Sequence, residues 1–251
     1  MNILIVGYGR MGHEVEKTSL NRGHTIVGRI DPSGCGDAER PEPRFLEKCD
    51  MVIEFSQPQG ILENIKLYAD HKVSALVGTT GWLDRKDLVE KIILDSKIGF
   101  IYGSNFSIGA HIFSRLSGML ARLINPFPDY DIMVTEYHHK FKKDSPSGTA
   151  FSVAGKILEN SSRKTEIVTD RVDGQIGDHQ LHVASVRGGY IPGTHIVDAD
   201  SPVDTIELRH TARERGGFVS GAVYAAEWLL GKTGIYSVDD FIQDIFQRGG
   251  N

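Results

Sequence analysis

The densest chemistry in the 251-residue chain lies in Glu136-Tyr137-His138-His139-Lys140-Phe141-Lys142-Lys143-Asp144-Ser145-Pro146-Ser147-Gly148-Thr149-Ala150. Two imidazoles and three ammonium groups supply positive charge. Pro146-Ser147-Gly148-Thr149 reads as a turn that opens a helix, whose first N–H groups face outward as anion donors. Together they suit a small di-acid. Histidine and lysine also move protons. Hydride addition to a conjugated imine or enone leaves an enamine or carbanion that needs a proton. Lys142, four residues after His138, is the candidate donor, because an ammonium crowded by other cations gives up its proton more readily. A charged run of this kind is also often only a solvated face. Metal binding is not expected: in an extended segment His138 and His139 point to opposite faces, and no HxxxH or Cys partner accompanies them or the downstream His179, His182 and His195. His13-Glu14 lacks the rest of an HExxH motif and reads as a surface pair on a helix.

A second motif precedes this one. Gly7-Tyr8-Gly9-Arg10-Met11-Gly12 is GxGxxG; it follows the apolar run Ile3–Val6, opens a helix, and is followed 19 residues after Gly12 by Asp31 at the end of another strand. That context marks a dinucleotide-binding turn. Gly7 permits the turn, Gly9 lets the pyrophosphate approach the backbone, and Gly12 brings helix and strand close. Asp31 should accept hydrogen bonds from the adenosine ribose and repel a 2′-phosphate, favouring NADH over NADPH, with Arg29 and Arg10 as partial offsets. Gly78-Thr79-Thr80-Gly81 and Gly103-Ser104-Asn105-Phe106 each follow a strand and are expected to line the nicotinamide side of the same crevice.

These residues need elements to hold them. Strands are expected at Asn2–Val6, His24–Ile30, Met51–Phe55, Ala75–Val77 and Ile98–Tyr102, with helices at Gly12–Arg22, Gln59–Asp70 and Leu83–Asp95 between them. Pro32–Pro43 reads as loop. This alternation implies an N-terminal Rossmann-type α/β unit with a parallel sheet. After about residue 107 the pattern changes: helices at Ile108–Ile124 and Phe151–Asn160, and strands at Asp131–His138, His182–Arg187, Thr194–Ala199 and Thr205–His210. That implies a separate α+β domain with an open mixed sheet, mostly antiparallel. Helices at Gly217–Leu230 and Val238–Gln247 return to the first domain. The expected division is 1–106 with 216–251, and 107–215.

Bulk composition is that of a soluble globule, with 40% hydrophobic and 24% charged residues. A net charge of −5 argues against nucleic-acid binding. Two cysteines outside any CxxC point to a reducing, cytoplasmic setting. No signal peptide is expected ahead of the first strand, and no apolar run is long enough for a membrane span.

The stretch Glu136-x-His138-His139-x-x-Lys142-x-Asp144-x-Pro146-Ser147-Gly148-Thr149-Ala150 resembles the signature of the 4-hydroxy-tetrahydrodipicolinate reductase family. Further matches run through the chain: Gly9-Arg10-Met11-Gly12, Gly78–Gly81, Asn105-Phe106-Ser107, Val186-Arg187, Gly193-x-His195 and Ser220-Gly221-Ala222. The resemblance implies reduction of 4-hydroxy-tetrahydrodipicolinate with loss of water, by NADH or NADPH, in diaminopimelate and lysine biosynthesis. It implies His138 as acid–base and Lys142 as proton donor. His139, Ser147, Gly148 and Thr149 would bind the substrate carboxylates. Residues 7–12, Asp31, 78–80, 103–106 and Arg215 would bind the dinucleotide, and the chain would form a homotetramer through the sheets of the substrate domain. Two departures stand out. The fingerprint is one residue shorter than GxxGxMG, and Pro32 follows Asp31 where many members carry a basic residue, which strengthens the expectation of NADH. Two other functions fit the first motif alone: another Rossmann dehydrogenase acting on a small anionic substrate, and a non-catalytic dinucleotide sensor. Neither needs the His138–Thr149 pattern.

Overall fold

Uninterrupted runs of buried apolar residues account for the first sheet. In β1 (Asn2–Val6) the residues from Ile3 to Val6 are at most 3% exposed, and every position of β3 (Met51–Glu54) is buried. Strands covered on both faces need such runs. The computed structural model describes residues 1–214 and 216–248. The remaining strands of this sheet are β2 (Thr25–Ile30), β4 (Ser74–Val77), β5 (Gly99–Tyr102) and β11 (Gly234–Ser237). The order is β11-β5-β4-β3-β1-β2, and all neighbours are parallel.

Side chains alternate across this sheet and meet two sets of helices. Ile3, Ile5, Ile53 and Ile101 join a core with α1 (Arg10–Asn21), α7 (Gly216–Leu229) and α8 (Val238–Arg248). Leu4, Val6, Val52 and Phe100 join another with α2 (Pro43–Leu46), α3 (Ile61–Asp70) and α4 (Lys86–Ser96). β2 and β3 lie on opposite sides of β1, so the winding reverses there. Doubly wound sheets hold their ligands beside the C-terminal strand ends at that reversal.

The chain divides into two compact units, Met1–Ile108 with Gly216–Asn251, and Gly109–Arg215. The second contains β6 (Asp131–His138), β7 (Glu166–Val168), β8 (Gln180–Arg187), β9 (Thr194–Asp200) and β10 (Thr205–Thr211), ordered β10-β9-β6-β8-β7. Helices α5 (Ile108–Ile124) and α6 (Gly148–Asn160) cover one face. Phe113, Leu120, Val153 and Ile157 pack there on Ile132, Val134, Val183 and Val197. The sheet is mixed, but not mostly antiparallel as the strand pattern suggested: β10/β9 and β9/β6 are antiparallel, while β6/β8 and β8/β7 are parallel. The cause is α6, which carries the chain out of β6 and across to β7, a crossover that parallel pairing requires. β7 and β11 were not expected from sequence, and α2 begins at the last proline of the stretch read as loop.

β6 positions the chemistry of this unit. Ile132, Val134, Glu136 and His138 alternate onto its buried face. The face is apolar at the start of the strand and polar at its end.

Gly221 of α7 is where helix and loop come closest. A Cβ there would lie 1.7 Å from the carbonyl oxygen of Phe106. Gly221→Ala should therefore destabilise the protein by about 1–3 kcal/mol or more through backbone displacement, read as a lower midpoint in urea unfolding. An unchanged midpoint would show that α7 shifts freely.

Candidate active site

The glycine turn after β1 has the properties a pyrophosphate needs. Gly7 has φ +91°, and a Cβ on it would lie 2.1 Å from the Phe55 carbonyl oxygen. A Cβ on Gly12 would lie 2.3 Å from the Gly7 carbonyl oxygen, whereas one on Gly9 would meet nothing within 4 Å. So Gly7 and Gly12 are close-packed and the Gly9 backbone is open. Gly9 is also the N-cap of α1, with no side chain capping it. The first-turn amides of that helix thus remain available to an anion. Tyr8 and Met11 turn inward to pack on the core, and Arg10 is exposed. His13 is not paired with Glu14: its ring stacks on Tyr8 at 4.1 Å between centroids and its Nδ1 donates to the Gly9 carbonyl at 2.8 Å.

At the end of β2, Asp31 accepts from the Tyr8 amide at 2.8 Å and from the amide and hydroxyl of Ser33 at 2.9 and 2.5 Å. The Ser33 hydrogen bonds hold its carboxyl below the usual range. Arg29 does not face Asp31 as a free cation. Its guanidinium donates to Glu16 at 2.9 Å and to Asp37 at 3.1 Å, and Glu16 also accepts from the Tyr8 hydroxyl.

The other loops of the crevice rest on a turn that sequence reading passed over, Phe55-Ser56 after β3. A Cβ on Gly78 would lie 2.0 Å from the Phe55 ring, and the Ser56 amide donates to the Thr79 hydroxyl at 2.8 Å. Thr79 is therefore turned inward, and Thr80 is exposed. Glu54, fully buried, fixes this turn by accepting from Ser56, from Asn64 at 2.7 Å and from Tyr68 at 2.9 Å. Gly103 packs on Val238, Ser104 is exposed, and Asn105 accepts from the Ser107 amide at 2.8 Å. Phe106 is buried, its ring in the core and its carbonyl against Gly221. Arg215 lies outside the described residues.

In the second unit, strand register assembles a cluster around Glu136. Across the sheet Glu136 pairs with Ser185 and His195, and His138 pairs with Arg187. The fully buried Glu136 carboxylate accepts from Ser185 at 2.8 Å, from Arg187 at 2.7 Å, from the Ser147 amide at 2.9 Å and from the Ser147 hydroxyl. His138 Nδ1 lies 3.3 Å and His195 Nε2 3.4 Å from its Oε2. Burial would raise the carboxyl pKa, but His195, Ser147, Arg187 and Ser185 outweigh it and hold the group ionised far below its usual range. Arg187 also donates to the Asp144 carbonyl at 2.8 Å. Ser147 caps α6, its hydroxyl accepting from the Ala150 amide at 3.1 Å, and its carbonyl accepts from Phe151 at 3.1 Å. That capping starts the helix at Gly148, three residues before the expected Phe151. It leaves the amides of Gly148 and Thr149 at an open helix end, since a Cβ on Gly148 would meet nothing within 4 Å.

Lys142 differs from expectation. Its ammonium donates to both oxygens of Asp144 at 2.8 and 3.0 Å, so its charged neighbour is a carboxylate rather than other lysines. Like charges separate: Lys140 lies over the Phe141 and Tyr190 rings at 5.2 and 5.7 Å, and Lys143 is exposed. His139 is half-buried, its amide donating to the Ile191 carbonyl at 2.8 Å and its Nδ1 without a hydrogen-bond partner among the described residues. Glu136, Arg187 and His195 have no catalytic or binding role in the sequence reading, although all three stand in matching motifs and His195 is considered there, and set aside, as a metal ligand. Glu136, His138 and His195 bring three ligand-type atoms within 4.8 Å of one another, a grouping that sequence spacing did not reveal. Here, however, the carboxylate is already saturated by donors and carries the Arg187 charge, which a divalent ion would have to oppose.

Burial pushes the His138 pKa from 6.5 down to about 4; the charges of His195, Lys142 and Arg187 act in the same direction, against Glu136. Between those values the unfolded chain is protonated at this site and the fold is not. Stability is therefore lost as pH falls from 6.5 to 4. His138→Gln should lose about 1–3 kcal/mol less over that window, measured by urea unfolding at successive pH. Equal slopes for both proteins would show that the ring titrates normally.

Comparison with known proteins identifies the family. Residues 1–106 match the model of the N-terminus of dihydrodipicolinate reductase and residues 109–242 that of its C-terminus. The 4-hydroxy-tetrahydrodipicolinate reductase of Christiangramia forsetii is 40% identical over 99% of this chain and 100% of its own length. That of Methanoregula boonei is 36% identical over 93% and 94%. The fold is shared with the dipicolinate-bound dihydrodipicolinate reductase of Paenisporosarcina sp. TG-14, with a TM-score of 0.73 and 24% identity over 94% of this chain and 97% of that one. The chain belongs to the dihydrodipicolinate reductase family.

Proposed function

We propose that this chain catalyses the NAD(P)H-dependent reduction of 4-hydroxy-tetrahydrodipicolinate to tetrahydrodipicolinate with loss of water, the reduction step of the diaminopimelate route to lysine. The observation that carries this reading is the second unit's combination of an open helix N-terminus at Gly148–Thr149 with His138 and Lys142, which supplies anion donors and proton-moving groups together. Loss of the 4-hydroxyl as water takes a proton from the carbon α to the imine and leaves a conjugated double bond. The reduced nicotinamide, when bound, supplies the hydride that adds at C4. The electron pair then moves to the α-carbon, which takes up a proton. His138 serves as the acid–base group and Lys142 as the proton donor. His139 and the amides of Gly148 and Thr149 hold the two carboxylates; Ser147, expected among them from sequence, instead donates its amide and hydroxyl to Glu136 and caps α6.

The open Gly9 backbone and the uncapped start of α1 fit the pyrophosphate. Residues 7–12, Asp31, 78–80 and 103–106, with Arg215, form the dinucleotide set. NADH is the favoured cofactor, because Asp31 is held ionised and Arg29 is already neutralised by Glu16 and Asp37. No metal takes part in this reading. Assembly into a homotetramer is supported by the sheet face opposite the helices, where Met133 and Val186 are exposed. A cytoplasmic setting is supported by two free cysteines. No helix among the described residues is long and apolar enough to cross a membrane.

Coupled to a synthase that supplies the substrate, the purified protein should oxidise NADH with a higher kcat/KM than NADPH. No synthase-dependent oxidation would overturn the activity, and a strong NADPH preference would overturn the cofactor assignment. Lys142→Ala should lower kcat by on the order of 100-fold or more while the Kd for NADH in fluorescence titration stays within a few-fold. Equal losses in both would make Lys142 structural.

A further inference from the structure

We propose that Asp144 is a positioning residue for the reaction: it holds the Lys142 ammonium away from the substrate carboxylates, so that the lysine delivers a proton instead of binding an anion. This rests on the function proposed above. A substrate with two carboxylates sets a problem for any lysine beside it. The ammonium is a compact charge on a flexible four-carbon stem, and a nearby carboxylate draws it in. A lysine captured in that way binds substrate and transition state alike, which lowers KM without raising kcat. A carboxylate supplied by the protein prevents the capture if it takes up the ammonium first and is itself fixed in place.

Asp144 meets both conditions. Both of its carboxylate oxygens accept from Lys142 Nζ, at 2.8 and 3.0 Å. Its backbone is tied down: the carbonyl accepts from Arg187 Nη2 at 2.8 Å, and the same nitrogen donates to the buried Glu136 at 2.7 Å. The lysine's own backbone is held as well, its amide donating to the His139 carbonyl at 3.1 Å. The Asp144 carboxylate is thus fixed relative to the Glu136 cluster, just ahead of the helix start at Gly148. The Lys142 side chain is 22% exposed and that of Asp144 58%. A pair so open to water adds little to stability, so holding the fold together does not account for it. The Lys142 charge is nevertheless among those acting on the His138 ring, which puts the pair beside the acid–base group. With Lys142 already neutralised, the substrate carboxylates are left to His139 and the amides of Gly148 and Thr149.

The test separates capture from loss of structure by the sign of two effects. In Asp144→Asn the ammonium loses its charged partner and is free to pair with the ligand. Dipicolinate, a stable dicarboxylate, should then bind more tightly in titration calorimetry, by roughly 2- to 5-fold, the worth of one partly exposed ion pair. With synthase-supplied substrate, kcat should fall on the order of 10-fold or more, while the urea midpoint stays near that of the wild type. Weaker dipicolinate binding alongside the lower kcat would make Asp144 merely structural and overturn the proposal. An unchanged or higher kcat would overturn it too. In a Lys142→Ala background, adding Asp144→Asn should neither tighten dipicolinate nor lower kcat further, because the aspartate acts through the lysine; independent, additive effects would count against it. A wild-type protein that binds dipicolinate yet turns over no synthase product would overturn the proposed activity alone. The titrations would then still decide whether Asp144 holds the lysine off, unchanged affinity in Asp144→Asn being the contrary result.

Discussion

An ionised carboxylate with no access to water must be supplied with donors by the protein, and in the second unit that requirement falls on Glu136. Its donors come from β8, β9 and the start of α6, segments that lie far from it in the chain. Each of those elements has to arrive in register for the charge to be tolerated. A slip of one residue in β8 would turn Ser185 and Arg187 to the opposite face and leave the carboxylate short of two partners. Breaking such a buried pair costs roughly 3–5 kcal/mol. The group that organises the site therefore also enforces the sheet register that creates it.

The first unit answers a different demand. A dinucleotide is held mainly by backbone, so that unit works by removing side chains and stacking loops on one another. Gly7 and Gly12 pack the turn tightly, and Gly78 lies against Phe55. Glu54 anchors the Phe55-Ser56 turn beneath them with three neutral donors, and burial raises its pKa. Both units thus place a buried glutamate toward the C-terminal end of a strand. In one it is scaffolding under a backbone cradle; in the other it is an ionised hub among side chains.

What could be read from sequence followed from how local each signal is. The strands of the parallel sheet are contiguous apolar runs, and the glycine fingerprint is a single turn followed by a helix, so both were legible. β7 has three residues and half-exposed side chains, and β11 is half-buried throughout; neither offers a periodic pattern. Lys142 was placed in the site by spacing, but its pairing with Asp144 depends on how the loop folds. The role of Glu136 was hidden for a further reason: Ser185, Arg187 and His195 are brought to it only by parallel and antiparallel pairing of strands about fifty residues apart. An acidic residue at a core position of an otherwise apolar strand face was the available signal.

Arg29 shows how such networks constrain redesign. Its guanidinium is shared between Glu16 and Asp37, and Glu16 also takes the hydroxyl of Tyr8, whose amide rests on Asp31. Recasting this corner to seat a phosphate is thus not a matter of exchanging the single acid at the end of β2. The arginine must be released from two carboxylates at once, and relaxing one of them loosens the tyrosine that shapes the glycine turn. If NADH is the coenzyme, as proposed above, that choice rests on a linked group of residues, and an engineer would have to change that group together.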